Sequence, residues 1–290
     1  MSDNLPQSHA DEGARYWNEE GGHTWVAHID QIDALIAPLN TISLERAIPK
    51  EGEVVLDVGC GGGATSRHMA ERVGSQGRVV GVDISSTILA VAKERAGHLP
   101  NLRFEVGDAQ TIDLGEDAFD LIYSRFGVMF FQDVIAAFTN LHRTLKRTGR
   151  LLFLCWCAAE ENPWMQQPVT AIQEIFPPPP SSNSGIPDPN APGPFSLAQS
   201  ERLHHVLQAA GFTEAQVEAL DERMPMGSVD EAVSLILGMM GPSADQMSLA
   251  THEQVIALND SLRRIVAPYD TTDGVSIPCA AWMVSARAQG

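Results

Sequence analysis

The chain has 290 residues, of which 44% are hydrophobic, and a formal net charge of −18 at pH 7. This length is enough to bury a sizeable core, and no apolar run approaches the length of a membrane span. An acidic surface repels phosphate backbones and anionic membranes, so we expect neither nucleic acid nor a membrane surface as a partner.

The N-terminus predicts a cytoplasmic protein, and the cysteines do not predict a metal site. Residues 1–7 have neither the basic region nor the apolar region of a secretory signal. Cys155 and Cys157 lie in an apolar run with no second cysteine pair nearby, which is a weak pattern for a metal site. We therefore expect buried, reduced thiols and no bound metal.

The predicted elements begin with helices and then alternate. Apolar residues recur at helical spacing over 24–39, and a short helix is expected over 41–47. Glycines at 59–63 separate a buried strand from an amphipathic helix over 65–73. Further strands are expected at 78–83, 102–106, 119–123 and 150–156, with helices at 86–96 and 133–146. This alternation predicts a parallel, doubly wound α/β sheet.

The pattern becomes less regular after residue 160. The sequence predicts a helix over 161–176, an irregular Pro-rich stretch over 177–194, a helix over 196–210, a strand over 212–220, helices over 228–240 and 250–267, and a final strand over 274–286. Pro278 in that final strand favours an edge, a bulge or a strand start, because proline cannot donate to a sheet ladder.

The glycine-rich turn after the first strand is suited to holding a ligand. Glycines allow positive φ and close approach to the backbone, and a helix N-terminus attracts anionic groups. The spacing Gly59-x-Gly61-x-x-Ala64 fits a dinucleotide-binding turn. The stretch Asp57-x-Gly59-x-Gly61-x-Gly63 equally fits the turn of S-adenosylmethionine (SAM)-dependent enzymes, so this segment alone leaves both cofactors open.

Three more strand ends carry matching signals: Gly81-Val82-Asp83-Ile84, Gly107-Asp108-Ala109 and Phe119–Ser124. In this order, the set resembles the motifs of class I SAM-dependent methyltransferases. The likeness covers about residues 50–160, with a weaker tail at 196–220 and 274–286. Within that class the chain resembles the ubiquinone/menaquinone C-methyltransferase-like (methyltransferase type 11) small-molecule group. A dinucleotide enzyme would not need Asp57 or Gly107-Asp108-Ala109.

The resemblance implies a role for each of the motif residues. A carboxylate accepts both hydroxyls of a ribose, and the adenine amino group is a donor that suits a second carboxylate. The implied cofactor residues are Asp57, Gly59 and Gly61 in the glycine turn, Asp83 for the ribose, Ile84, Asp108 and Ala109 for the adenine, and Ser124 at the fourth strand end. Taken singly, each acid could be only a cap or turn residue.

The segment before the core is predicted to supply further site residues. The resemblance implies that Trp17 and Trp25 close over the methionine end of SAM, although Trp25 could simply be a core residue of an amphipathic helix. His23 lies between them and is the best candidate for a general base, against the alternative of a solvated loop residue. Arg125, the second candidate catalytic residue, could face the site or pair with a surface acid.

These observations lead to one prediction of architecture and function. We expect a Rossmann-like, seven-stranded sheet whose last strand is antiparallel, with a helical cap. The predicted parts are N-terminal cap helices over 1–45, a core over 46–160, a Pro-rich lid over 161–195, a core continuation over 196–224, a helical insertion over 225–272 and a final strand over 273–290.

The implied reaction is methyl transfer from SAM to O, N, S or C of a small, apolar or aromatic acceptor, with S-adenosylhomocysteine (SAH) as product. A monomer or homodimer is expected. The alternatives are an NAD(P)-dependent oxidoreductase that uses the same turn and a non-catalytic SAM-binding protein.

Overall fold

A computed structural model describes residues 9–177 and 188–289, with residues 9–12 described as backbone only. Part of the predicted Pro-rich lid, residues 178–187, lies outside the described residues. Strands and helices alternate through the first half of the chain, as the sequence pattern predicts. The strands are β1 (Val54–Val58), β2 (Arg78–Asp83), β3 (Leu102–Val106), β4 (Phe119–Arg125), β5 (Leu145–Trp156), β6 (Thr213–Gly227), β7 (Asp270–Thr271) and β8 (Gly274–Arg287).

The strands form one sheet in the order β3-β2-β1-β4-β5-β8-β6, and the short β7 pairs with β8 at its start. β1 to β5 are parallel, whereas β8 runs antiparallel to both β5 and β6. The predicted Rossmann-like sheet with an antiparallel last strand is therefore confirmed. Because β1 to β4 are parallel, their carboxyl ends meet along one edge of the sheet, which is where ligands bind in open α/β sheets.

Helices lie between the strands and before and after them. They are α1 (His9–Asn18), α2 (Glu20–Ala27), α3 (Ile29–Leu35), α4 (Ala37–Ala47), α5 (Ala64–Val73), α6 (Ser86–Ala96), α7 (Val134–Thr144), α8 (Pro163–Ile175), α9 (Ser200–Ala209), α10 (Val229–Met240), α11 (Ala244–Leu249) and α12 (His252–Val266). Single turns of 3-10 helix cover Val128–Phe130, Ala159–Glu161 and Ala267–Tyr269.

The strands of the sheet centre are hydrophobic because both faces are covered. Val55, Leu56, Leu121 and Ile122 on β1 and β4 are fully buried, which accounts for the nearly continuous apolar runs in the sequence. Helices α8, α10 and α12 pack against one another beside β6 and β8. Within the described residues, no helix combines the length and apolarity that a membrane crossing requires.

Three local expectations differ from the structure. The predicted helix over 24–39 is divided into α2, α3 and α4, with breaks at His28 and Ile36. β6 continues to Gly227 because β8 offers it a partner well beyond Leu220. Pro278 lies inside β8, but β5 ends at Trp156, opposite Ala281, so at Pro278 only β6 is paired. The strand tolerates the missing N–H there because this stretch is a sheet edge.

Candidate active site

A cavity of about 430 Å³ opens at the carboxyl ends of β1 to β4. Its walls come from the strand ends, from α1 and α2, and from the loop around Pro192–Pro194. Residues predicted from the sequence contribute a large part of these walls: Trp17, Trp25, Gly59, Gly61, Asp83, Ile84, Asp108, Ala109 and Arg125. Asp57, Ser124 and His23 are the predicted residues that do not line it.

The glycine turn at the end of β1 is held by backbone contacts. Gly59, Gly61 and Gly63 have φ values of +64°, +53° and +75°, which side chains of L-residues rarely adopt. The amides of Gly59 and Cys60 both donate to the carbonyl of Val82 on β2. A Cβ at Gly59 would lie 2.7 Å from the Cα of Gly127, so the turns after β1 and β4 touch glycine to glycine.

Asp57 braces this turn from inside the protein. Its Oδ2 accepts hydrogen bonds from the hydroxyls of Thr65 (2.7 Å) and Ser66 (2.5 Å) at the start of α5, and the side chain is fully buried. The other oxygen, Oδ1, has no partner among the described residues. Burial raises the pKa of Asp57 to about 6, against the opposing effect of the two hydroxyls and of Arg125.

Ser124 has a similar position behind the cavity. It is fully buried at the end of β4, and its hydroxyl donates to the carbonyl of Val58 on β1 at 2.8 Å. Asp57 and Ser124 therefore fix the strand ends and the helix start, whereas the ligand-facing surface is formed by their neighbours.

Asp83 at the end of β2 faces the cavity with a carboxylate that the backbone orients. Its Oδ2 accepts from the amide of Gly61 and its Oδ1 from the amide of Ser85, both at 2.9 Å. Burial raises the pKa of Asp83, and the backbone donors oppose this shift. Two amides occupy half of the acceptor capacity of a carboxylate, so each oxygen keeps a free lone pair for a ligand donor.

The turn after β3 provides a second carboxylate. Asp108 lines the cavity, and its Oδ1 accepts from the amide of Gln110 at 2.9 Å. The side chain of Asn140 on α7 donates to the carbonyls of Ala109 and Ile112, both at 3.0 Å, and so holds this turn in place. The oxygen Oδ2 of Asp108 remains available, since no described residue donates to it.

The N-terminal helices cover the cavity from above the sheet edge. Trp17 contacts Trp25 and Phe130 edge to face, with ring centroids 6.0 and 5.2 Å apart. Asn18 ties this segment to the loop after β2: its amide donates to the carbonyl of Ile84 (3.1 Å), and its oxygen accepts from the amide (2.8 Å) and hydroxyl (2.7 Å) of Ser86.

His23 is exposed on α2 and does not line the cavity. The structure therefore separates it from Trp17 and Trp25, the residues between which the sequence places it. Its role as a base stays a prediction, and its position favours the alternative in which the protein only orients the acceptor.

Arg125 takes both of the roles that the sequence left open, since it faces the cavity and also pairs with an acid. It lines the cavity at the end of β4 and pairs with Asp33 of α3, with its Nη2 3.1 Å from Oδ1. The next residue, Phe126, has a φ of +61°, an unusual conformation for a bulky residue, and stacks on Trp156 with centroids 4.0 Å apart. Backbone strain of this kind is concentrated at functional sites.

The sequence analysis missed several walls of the cavity. Ile36, Phe126, Phe130 and Phe131 line it without having been predicted, whereas Tyr16 and the loop around Gly193 lie in the two segments that were predicted to cover the site. The only available signal was the glycine that follows Phe126, because a glycine after a strand can mark a close approach of backbone, and a Cβ at Gly127 would lie 2.9 Å from the Cα of Gly59. The hydrogen bond from Gly193 N to Met129 O joins two loops that are far apart in the chain, which no local pattern predicts.

Comparison with known proteins gives a consistent result. Residues 55–149 match the family model described as a methyltransferase domain. Phosphoethanolamine N-methyltransferase 1 of Triticum aestivum is 39% identical over 115 residues, which are 39% of this chain and 23% of that protein. Demethylmenaquinone methyltransferase of Staphylococcus epidermidis is 33% identical over 105 residues, or 36% of this chain and 44% of that one.

The matched stretch thus spans less than half of either curated relative. Among solved structures, the YcgJ protein of Bacillus subtilis has a TM-score of 0.58 at 19% identity, covering 88% of this chain and 99% of that one. That likeness shows a shared fold.

Proposed function

We propose that this chain, whose residues 55–149 form a methyltransferase domain of the class I SAM-dependent type, transfers a methyl group from SAM to a small acceptor. The observation that carries the proposal is the position of its acidic and glycine residues. The domain match begins at β1 and extends into β5, and within it Gly61, Asp83 and Asp108 converge on one cavity from three different strand ends. The parallel strands alone would bring their ends together, but Asp83 and Asp108 also keep acceptor capacity free toward the cavity, which a cap does not need.

The residues around the cavity fit the parts of SAM. Asp83 retains two lone pairs for the two ribose hydroxyls, and its backbone donors hold it ready for them. Asp108 has a free oxygen for the adenine amino group, with Ile84 and Ala109 forming an apolar surface for the ring. The glycine turn leaves room for the methionine end, since at Gly61 the nearest atom to an added Cβ is Trp25 Nε1 at 3.7 Å.

When bound, SAM supplies a sulfonium methyl group that is already activated for transfer. The remaining work of the chain is to orient the acceptor in line with that methyl group and to exclude water. Trp17, Phe126 and Phe130 provide apolar walls for this purpose, which favours a small, apolar or aromatic acceptor. The product is SAH, and the acceptor atom is O, N, S or C.

The net charge and the state of the cysteines bear on the class of acceptor and on the cellular compartment. A net charge of −18 argues against nucleic acid as the acceptor. All four cysteines are free and buried, which suits a reducing compartment such as the cytoplasm. We propose a monomer or homodimer, with a cap drawn from the described residues within 1–45, 161–195 and 225–272.

Calorimetric titration with SAM, SAH and NAD tests the cofactor. We expect binding of SAM and SAH, no binding of NAD, and a loss of SAM affinity of about tenfold or more in D83N, because a charge-assisted contact is replaced by a neutral one. D273N, which changes an exposed aspartate in a distant turn, serves as the matched control. Binding of NAD in preference to SAM would favour the oxidoreductase alternative, and SAM binding without methyl transfer across a broad acceptor screen would favour the non-catalytic one.

A further inference from the structure

Arg125 is a buried cation whose side chain is only 9% exposed, yet it borders the cavity. Asp33 is the one salt-bridge partner that the described residues give it, through a single contact of 3.1 Å. A guanidinium has five N–H donors and normally meets a carboxylate through two of them. The other donors of Arg125 have no hydrogen-bond partner within the described part of the chain, so they are available to a ligand.

Asp33 does not fully neutralise Arg125, because it is shared. Its second oxygen, Oδ2, lies 3.1 Å from Nη1 of Arg95, so two guanidinium groups compete for one carboxylate. Arg95 also pairs with Asp30, but that side chain is 91% exposed and its charge is screened by water. Arg95, Asp33 and Arg125 together, two cations and one anion, therefore carry a net positive charge.

Two other acids lie near this group. Arg125 is close enough to Asp57 to oppose the rise in the pKa of that carboxyl that burial causes. Asp57 is fully buried, however, and it directs Oδ2 to Thr65 and Ser66 and makes no salt bridge with Arg125. Asp83 directs both oxygens to backbone amides. Neither acid offers Arg125 a hydrogen-bonded partner.

The sheet order separates Arg125 from the residues assigned to the adenosine. Asp83 and Asp108 follow β2 and β3, on one side of β1, whereas Arg125 ends β4, on the other side. Two apolar residues of the cavity wall lie near Arg125. Phe126 follows it in the chain, and Ile36 lies about one helical turn beyond its partner Asp33. An available cation beside aromatic and aliphatic walls matches a ligand with an apolar body and one carboxylate.

We propose that the methyl acceptor carries a carboxylate and that Arg125 binds it. This inference rests on the proposed function, since it assigns the substrate class of the same cavity. The methionine part of SAM also carries a carboxylate, so the test has one arm for each source.

In the acceptor arm, the protein saturated with SAH is titrated with 1-naphthoate and 1-naphthamide, and with 4-hydroxybenzoate and 4-hydroxybenzamide. Wild type is expected to bind the carboxylates more tightly by about tenfold, the size of one charge-assisted contact. R125M should remove this preference, and R125K, which retains the charge without the planar fork, should retain part of it. In the cofactor arm, SAM is compared with decarboxylated SAM, and R125M should leave that ratio unchanged.

R95M is the matched control, because it changes the other arginine of the network, which does not line the cavity. R95M should keep a preference for the carboxylate ligands. The preference should be smaller than in wild type, because Asp33 then pairs with Arg125 alone and neutralises more of its charge. Thermal unfolding of each variant establishes that it is folded.

A wild type with no carboxylate preference in either pair, or a preference that survives in R125M, overturns the proposal and leaves Arg125 as a structural tie to α3. A change confined to the cofactor arm also overturns it. Failure of wild type to bind SAM or SAH at all would instead refute the proposed function, so the two failures are distinguishable.

Discussion

The glycine turn and the N-terminal cap form walls of one cavity but are held in different ways. The turn is held by buried contacts: Gly59 and Cys60 donate to Val82, Gly59 touches Gly127, and the buried carboxylate of Asp57 ties the turn to α5. The cap depends on side-chain hydrogen bonds from Asn18 at one edge and on aromatic contacts of Trp17. We infer that the turn is as stable as the core and that the cap opens at a much lower cost in free energy.

Substitution of Gly59 should give the largest effect, because it inserts a Cβ between two backbones. G59A incurs about 1–2 kcal/mol for the left-handed conformation and a further ~1–3 kcal/mol for overlap with Gly127. The control is G52A, where φ is +82° and no atom lies within 4 Å of the added Cβ. Urea denaturation of both variants measures the free energy of unfolding, and equal losses would show that the glycine contact is not rigid.

The pH dependence of stability tests how Asp57 supports the turn. Burial raises its pKa from 3.8 to about 6, so between those values the unfolded chain loses this proton first and stability falls as pH rises. Asparagine does not titrate. The free energy of unfolding of D57N relative to wild type should therefore rise by about 2.4 kcal/mol from pH 4 to pH 7, most of the ~3 kcal/mol that the full shift represents at 1.36 kcal/mol per pKa unit.

Urea titrations at pH 4, 5, 6 and 7 give this difference, with D273N measured in parallel for an exposed carboxyl. A difference between D57N and wild type that stays constant over this range would mean that Asp57 titrates in the folded protein as it does in water.

Removal of the Asn18 contacts should have the smallest effect and should be confined to the cap. N18A loses the hydrogen bonds to Ile84 and Ser86, and these bonds lie partly in solvent. We therefore expect the free energy of cap opening to fall by about 1 kcal/mol, which corresponds to roughly fivefold faster hydrogen exchange in the cap. Hydrogen exchange over residues 13–27 measures it. N259A, which loses one bond within α12, is the control, and faster exchange at residues 54–63 in N18A would contradict the separation of the two regions.

The parts that the sequence predicted are those whose geometry depends on neighbouring residues in the chain. Gly59, Gly61 and Asp83 are identifiable because a strand, a turn and a helix start must follow one another within a few residues. The parallel strands followed from the alternation of strands and helices, and the antiparallel last strand followed from the family resemblance; the structure has both.

The parts that it missed depend on contacts between distant segments. The pairing of Arg125 with Asp33 joins residues 92 positions apart, and nothing in either local pattern identifies the other partner. The break of the first long helix at His28 and Ile36 is equally invisible in apolar periodicity, because the apolar spacing continues through both breaks. His23 was assigned to the cavity from its neighbours along the chain, whereas α2 turns its side chain outward.

The contact between Gly59 and Gly127 bears on the distance between the proposed cofactor and the proposed acceptor. Gly61, on the side proposed for the cofactor, is two residues from this contact, and Arg125, on the side proposed for the acceptor, is also two residues away. Under the proposed function, the close approach of Gly59 and Gly127, both of which line the cavity, therefore fixes the distance between cofactor and acceptor. We expect that opening of the cap leaves this contact, and so the distance that the methyl group crosses, unchanged.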